Sequence, residues 1–194
     1  MFCALEGIDG CGTSTHTRLL GGFLKHKGYD VFLTQEPTKS EIGNLVRYFL
    51  KKEDSHPSID ALLFAADRAS HYHEEIKKKL KKNFIVISDR YIESSIVYQS
   101  VQSKEISQEW VESLNKFVGK PDLTIILDID PKISLSRKTG EELEKFENIN
   151  FLKKVREVYL QRAKKQNYYI VNSNDIIEIV QDRIQKIIIK HLNR

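Results

Sequence analysis

Apolar residues along this 194-residue chain fall into two alternating patterns. Five short stretches are apolar or β-branched nearly throughout: 2–5 (Phe-Cys-Ala-Leu), 30–34 (Asp-Val-Phe-Leu-Thr), 84–88 (Phe-Ile-Val-Ile-Ser), 123–127 (Leu-Thr-Ile-Ile-Leu) and 168–171 (Tyr-Tyr-Ile-Val). Runs of this kind are expected of strands covered on both faces. Between them the apolar spacing becomes helical. Leu19, Leu20, Phe23 and Leu24 should share one helix face, and Ile176, Ile179, Val180, Ile184, Ile187 and Ile188 make one stripe of a last helix over 175–192. Strands alternating with helices predict an α/β fold, a five-stranded parallel sheet flanked by helices. Neither a repeat nor a low-complexity linker divides the chain, so one domain over 1–194 is expected. Residues 138–148 are almost wholly polar and break the rhythm, which predicts a mobile flap or a short exposed helix.

The polar residues that follow each strand carry the candidate chemistry, because ligands of open α/β sheets bind beyond the carboxyl ends of the strands. The first strand runs into Glu6-Gly7-Ile8-Asp9-Gly10-Cys11-Gly12-Thr13-Ser14-Thr15. This approaches the phosphate-loop pattern G-x-x-x-x-G-K-[ST], with Gly7 and Gly12 at the required spacing and Ser14 at the hydroxyl position. Thr13 occupies the lysine slot. Glycines let the backbone approach phosphates, amides at the following helix N-terminus point at the anion, and Ser14 should keep its hydroxyl free for Mg²⁺. The second strand ends in Gln35-Glu36-Pro37-Thr38, the third in Asp89-Arg90-Tyr91, the fourth in Asp128-Ile129-Asp130-Pro131, the fifth in Asn172-Ser173-Asn174. Opposite a phosphate loop, Asp89 suits a magnesium ion and the fork of Arg90 suits phosphate oxygens. Phe64 and Arg68 lie four apart on a predicted helix. They either stack a base and bond its edge, or are a core phenylalanine and a surface arginine. His71 is expected to be structural or solvated.

Composition narrows the setting. With 40% hydrophobic and 30% charged residues the chain should be globular. No apolar run approaches the ~20 residues of a membrane span, and no basic segment leads an apolar stretch at the start, so neither a membrane partner nor a signal peptide is expected. Cys3 and Cys11 are too few for a disulfide framework, which fits reduced thiols and a cytoplasmic location. The net charge of +4 is mild. The densest basic run, Lys77-Lys78-Lys79 with Lys81 and Lys82, follows Glu74 and Glu75 at helical pairing distances and reads as a solvated helix end. No aromatics interleave to make it a nucleic-acid patch, so nucleic acid is not an expected partner.

Taken together in order, these segments resemble the thymidylate kinases of the nucleoside-monophosphate kinase family. The matching residues are Glu6-Gly7-Ile8-Asp9-Gly10, Thr34-Gln35-Glu36-Pro37, Gly43 with Arg47, Leu63-Phe64-Ala65-Ala66-Asp67-Arg68, Asp89-Arg90-Tyr91 with Ser94-Ser95 and Tyr98-Gln99, and Pro121-Asp122-Leu123 with Leu127-Asp128, Pro131 and Arg137. The resemblance implies a phosphate-loop fold with a small lid, phosphoryl transfer from MgATP to dTMP, and a homodimer. It assigns Gly7, Ile8, Asp9, Gly10, Cys11, Gly12, Thr13, Ser14 and Thr15 to the ATP phosphates, with Ser14 and Asp89 on Mg²⁺. It assigns Asp9, Glu36, Arg47, Phe64, Arg68, Arg90, Ser95, Tyr98 and Gln99 to dTMP: Phe64 stacks on thymine, Arg68 bonds its carbonyl edge, Ser95 and Gln99 line the base, and Tyr98 lies under the deoxyribose. Asp9, Asp89, Arg90 and Arg137 are the implied catalytic set, with Arg137 opening the lid toward ATP and 172–174 near the adenine.

Two departures remove positive charge. Thr13 replaces the loop lysine, and Gln35 replaces the arginine usual in the family's Thr-Arg-Glu-Pro segment. Lys39, Arg47, Lys138 and Lys145 are candidate substitutes. Three readings stay open at this point: a thymidylate kinase with rearranged phosphate contacts, a deoxynucleoside-monophosphate kinase of broader choice, and a nucleotide-binding module without catalysis.

Overall fold

The computed structural model describes residues 1–52, 54–137 and 148–193. Lys138, Lys145 and nearly all of the expected flap therefore lie outside the described residues. Five strands, β1 (Phe2–Gly7), β2 (Val31–Gln35), β3 (Ile85–Asp89), β4 (Leu123–Asp128) and β5 (Tyr169–Asn172), form one parallel sheet in the order β2-β3-β1-β4-β5. The helices are α1 (Thr13–His26), α2 (Glu41–Leu50), α3 (Pro57–His71), α4 (Lys77–Lys81), α5 (Ile92–Gln102), α6 (Gln108–Leu114), α7 (Pro131–Ser136), α8 (Ile149–Gln166) and α9 (Ile177–Leu192), with a π-helical turn at Tyr72–Ile76 leading into α4. Among the described residues no helix is long and apolar enough to cross a membrane.

The central strand shows why its sequence carries no polar alternation. Cys3 and Leu5 pack into one core with Leu20, Leu24, Val155, Val180 and Ile184, whereas Phe2 and Ala4 pack into a second core with Ile76, Val86, Ile92 and Ile96. Successive side chains of a strand point to opposite faces, so both faces demand apolar residues. The sheet thus sits between two cores.

Two expectations need correction. All five strands run one or two residues past their apolar runs, to Gly7, Gln35, Asp89, Asp128 and Asn172. The residues added are polar, or glycine at the end of β1, because the ladder continues into the ligand-facing edge. Leu19, Ile176 and Ile179 were expected on buried faces but are exposed, whereas Leu20, Leu24, Val180, Ile184 and Ile188 are buried as expected. The lysine run does lie on an exposed helix end, except that Lys79 lays its ammonium over the rings of Phe32 and Phe84 at 5.0 and 4.8 Å.

Candidate active site

The loop between β1 and α1 is shaped by backbone conformations that side chains resist. Gly10 and Gly12 have φ of 76° and 100°, and a Cβ on Gly10 would lie 2.7 Å from the Ser134 carbonyl oxygen. Neighbouring elements fasten the loop from outside. The Ser134 hydroxyl donates to the Asp9 carbonyl, the Ser173 hydroxyl donates to the Cys11 carbonyl, and the Asp9 amide donates to the Tyr98 hydroxyl at 3.0 Å. Among the described residues no side chain caps the N-terminus of α1, which leaves its first amides to an anion.

The loop's residues divide by where they face. Asp9, Gly10, Gly12, Thr13, Ser14 and Thr15 line an open cavity of about 870 Å³ with Arg90, Arg137 and Asn174. Ile8 and Cys11 turn their side chains into the core instead, so these expected phosphate contacts are restricted to backbone. Thr13 is nearly buried. His16 lies beneath Gly12 with Nδ1 2.8 Å from Gln181 Oε1, and burial lowers its pKa, which keeps the imidazole neutral. Arg137 is exposed and donates to the Ser173 carbonyl at 3.1 Å.

At the edge of this cavity the Ser14 hydroxyl is not free, as expected from sequence, but donates to Asp89 Oδ2. The other oxygen, Asp89 Oδ1, is buried with no hydrogen-bond partner among the described residues. A buried carboxylate oxygen without a donor is costly, and a hard cation would satisfy it. The pair therefore fits a magnesium ion that takes its remaining ligands from phosphates and water. No cluster of three or more His, Cys, Asp or Glu occurs among the described residues to suggest an all-protein metal cage.

A second cavity, of about 260 Å³, adjoins the first. It is lined by Asp9, Glu36, Arg47, Phe64, Arg68, Arg90, Ser95, Tyr98 and Gln99, the full set the sequence assigned to dTMP. Their states differ. Arg47 donates to the carbonyls of Pro37 and Thr38, both at 2.6 Å, and so holds the turn after β2. Arg68 is 1% exposed, not a surface residue. It donates to Glu36 at 2.7 Å, Asn115 at 2.7 Å, the Tyr91 carbonyl at 3.1 Å and Ser95 at 2.9 Å. A guanidinium has five N–H groups, so one is left for a ligand. His71 is structural: it is buried between Thr34 at 2.6 Å and Glu36 at 3.0 Å. Gln99 is buried and its Oε1 has no partner among the described residues.

Arg90 stands where the cavities meet, for it and Asp9 line both. Its φ of 68° places a non-glycine residue in the left-handed region, a strain typical of sites that hold a group in a set direction. Its Nη1 donates to the Gly7 carbonyl at 2.9 Å and to Ser94 at 3.1 Å, and Nη2 donates to Asp9 at 2.6 Å. Two N–H groups remain, and the guanidinium lies 5.6 Å from the centre of the Tyr98 ring. Burial pushes the Tyr98 phenol well above its ordinary pKa, so its hydroxyl stays neutral.

Gln35 is exposed and faces a third cleft beside Ser14 and Asp89, not the smaller cavity. The charge missing at that position is thus missing near Ser14 and Asp89, and Arg18 and Lys39 line the same cleft. Arg18 went unnoticed in the sequence, as did Glu6, Ser94, Ser134 and Ser173. Glu6, Ser94 and Ser173 stood within recognised segments without being given a role, whereas Arg18 and Ser134 have no spacing that marks them.

Comparison with known proteins gives the family. The family model for thymidylate kinase matches residues 5–184. A probable thymidylate kinase of Pyrobaculum aerophilum is 46% identical, the match covering 89% of this chain and 88% of that protein. Similar proteins of the same description occur in Thermococcus onnurineus, at 43% identity over 96% of this chain and 100% of the relative, and in Methanosphaera stadtmanae, at 42% over 99% of each.

Proposed function

The chain belongs to the thymidylate kinase family, and on that premise we propose that it transfers the γ-phosphoryl group of ATP to dTMP with the two nucleotides meeting at Arg90. The observation that carries the reading is the shared wall: Asp9 and Arg90 are the only residues that line both the loop cavity and the smaller one, among the described residues. ATP enters from the loop side, with its phosphates on the α1 amides. Thymine enters the smaller cavity, where Phe64 offers a ring face, Arg68 one N–H and Gln99 one free acceptor. These complement a base that carries carbonyl oxygens and a ring N–H.

Phosphoryl transfer requires positioning and charge neutralisation more than covalent help. Arg90 supplies a fixed guanidinium with two open N–H groups at the junction, suited to an acceptor phosphate. That phosphate is itself the nucleophile, so no further base is needed. Mg²⁺, held by Ser14 and Asp89, would neutralise charge on the ATP phosphates. Thr13 contributes no charge; Arg90 and Arg137 line the same cavity as Thr13, and Arg18 and Lys39 line the cleft beside Ser14. The exposed apolar side chains Leu45 and Tyr48 of α2 and Leu62 of α3 support a homodimer through these helices. The free, buried thiols of Cys3 and Cys11 support a cytoplasmic setting. A catalytically silent module is disfavoured, because Asp9, Ser14, Asp89 and Arg90 converge on one place.

The test is coupled ADP release across dTMP, dUMP, dCMP and UMP, with Arg90→Ala alongside. We expect dTMP to be preferred and Arg90→Ala to lose turnover by 10²-fold or more, while ATP binding by calorimetry is retained. Equal turnover in the variant would remove Arg90 from the site, and binding without turnover on every acceptor would leave only the module.

A further inference from the structure

We propose that Glu6 is a positioning residue for the transfer, acting through the Ser94 hydroxyl to set the guanidinium of Arg90. The proposal rests on the reading of Arg90 as the grip on the acceptor phosphate.

Glu6 lies on β1 and is 0% exposed. A carboxylate so deep needs donors, and three converge on it. The Tyr91 amide donates to Oε1 at 2.8 Å, and the hydroxyls of Ser94 and Tyr159 donate to Oε2 at 2.6 and 3.2 Å. A serine hydroxyl has one proton. With that proton spent on Glu6, the Ser94 oxygen can only accept, and Arg90 Nη1 donates to it at 3.1 Å. The second Nη1 hydrogen goes to the carbonyl of Gly7, the residue after Glu6 on the same strand. Both hydrogens of Nη1 are thus set by the end of β1, directly or through one hydroxyl, which fixes the plane of the guanidinium and aims its remaining edge at Asp9 and the junction.

Glu6 also acts on the backbone. By taking the Tyr91 amide it holds the peptide that follows Arg90, while the Arg90 amide donates to the Leu5 carbonyl at 2.9 Å. The left-handed Arg90 is therefore clamped on both sides by β1. The Ser94 oxygen is 2.9 Å from the Tyr159 hydroxyl as well. Without a carboxylate at position 6 the serine proton has a second place to turn, or can face Arg90 itself. Glutamine is nearly isosteric but brings one acceptor and two donors to a place where three donors meet, so it cannot reproduce the arrangement.

The surroundings add a titration. Burial pushes Glu6 up to about 7, against the opposing pull of the Ser94 bond, the Arg90 charge and the Tyr91 amide; Glu93, itself paired with Arg162 at 2.5 Å, pushes the same way as burial. The phenols of Tyr159 and Tyr168 also face this carboxyl and stay neutral. Above that pH the carboxylate orients Ser94. Below it the protonated acid becomes a donor and the serine loses its fixed direction.

The experiment compares wild type, Glu6→Gln, Ser94→Ala and the double variant in dTMP kinase assays from pH 5.5 to 9, with circular dichroism to confirm folding. Glu6→Gln should lower kcat about tenfold and leave the KM for ATP within about twofold. Wild type should show an acid limb near pH 7 that Glu6→Gln and Ser94→Ala both lack, while a limb near 6 from the second ionisation of a phosphate monoester stays in all. The double variant should be no worse than the poorer single, because both substitutions break one chain. Unchanged kcat in Glu6→Gln, a retained limb near 7, or additive losses would overturn the proposal. If Glu6→Gln does not fold, the pH profile of Ser94→Ala decides alone. A normal Glu6→Gln beside a dead Arg90→Ala sinks this inference only, whereas an active Arg90→Ala sinks the reading of the site.

Discussion

Replacing Arg68 by methionine removes a guanidinium that touches four groups and is 1% exposed. The side-chain volume is roughly kept, so the loss is mainly electrostatic. Glu36 is left buried with His71 Nδ1 at 3.0 Å as its remaining partner, and Asn115, Ser95 and the Tyr91 carbonyl each lose a donor. Breaking a buried ion pair from one side costs about 3–5 kcal/mol, since the surviving charge stays out of water. For a domain of this size each kcal/mol moves Tm by about 2–4 °C, so a fall of roughly 6–20 °C is expected. Thermal unfolding of the ligand-free protein by circular dichroism measures it. The decisive arm is Arg68→Met with Glu36→Gln. Removing the orphaned charge should return part of the lost Tm, although glutamine gives His71 a weaker acceptor. A fall below about 2 °C for Arg68→Met, or a double variant that falls by the sum of the two singles, would refute the claim that this pair is what fixes the wall of the smaller cavity.

Other expectations concern the loop. Thr13→Lys places an ammonium at the mouth of the α1 amides and should raise kcat about tenfold or more, as an oriented charge at a phosphate commonly does; a fall in steady-state turnover would mean the site has closed around threonine. Gly10→Ala brings a methyl within 2.7 Å of the Ser134 carbonyl oxygen at a φ of 76°, so ATP affinity by calorimetry should drop at least tenfold, and an unchanged Kd would contradict the loop geometry. Burial pushes the Cys11 thiol up to about 12 and the Cys3 thiol higher still. Neither should react with a thiol reagent at pH 8 in the native protein, and both should react in guanidinium; rapid native labelling would show the loop opening.

Much of this was legible in the chain because apolar runs and loop glycines are local signals. Each strand was found, and the residues assigned to dTMP do line one cavity. Strand ends were misjudged where Glu6, Asp89 and Asp128 continue the ladder as polar residues, since an apolar run stops at the point where a parallel sheet begins to serve a ligand. Ile176 and Ile179 fit a helical stripe by spacing, yet the first turn of α9 stands free at the rim, and periodicity cannot tell a rim from a core. The hydrogen bonds that orient the site were hidden for another reason. Ser134 reaches Asp9, Ser173 reaches Cys11 and His16 reaches Gln181 across 125, 162 and 165 positions, and serine, histidine and glutamine at such separations leave no mark in a single sequence.

The hydroxyls of Ser134 and Ser173 that fasten the loop are neutral, and so is the threonine at its head. Mobile ions screen exposed charges over about 8 Å at ordinary ionic strength but act little on uncharged bonds. A cradle built this way should keep its shape, and much of its hold on a polyphosphate, in concentrated brine where an ammonium-centred one would slacken.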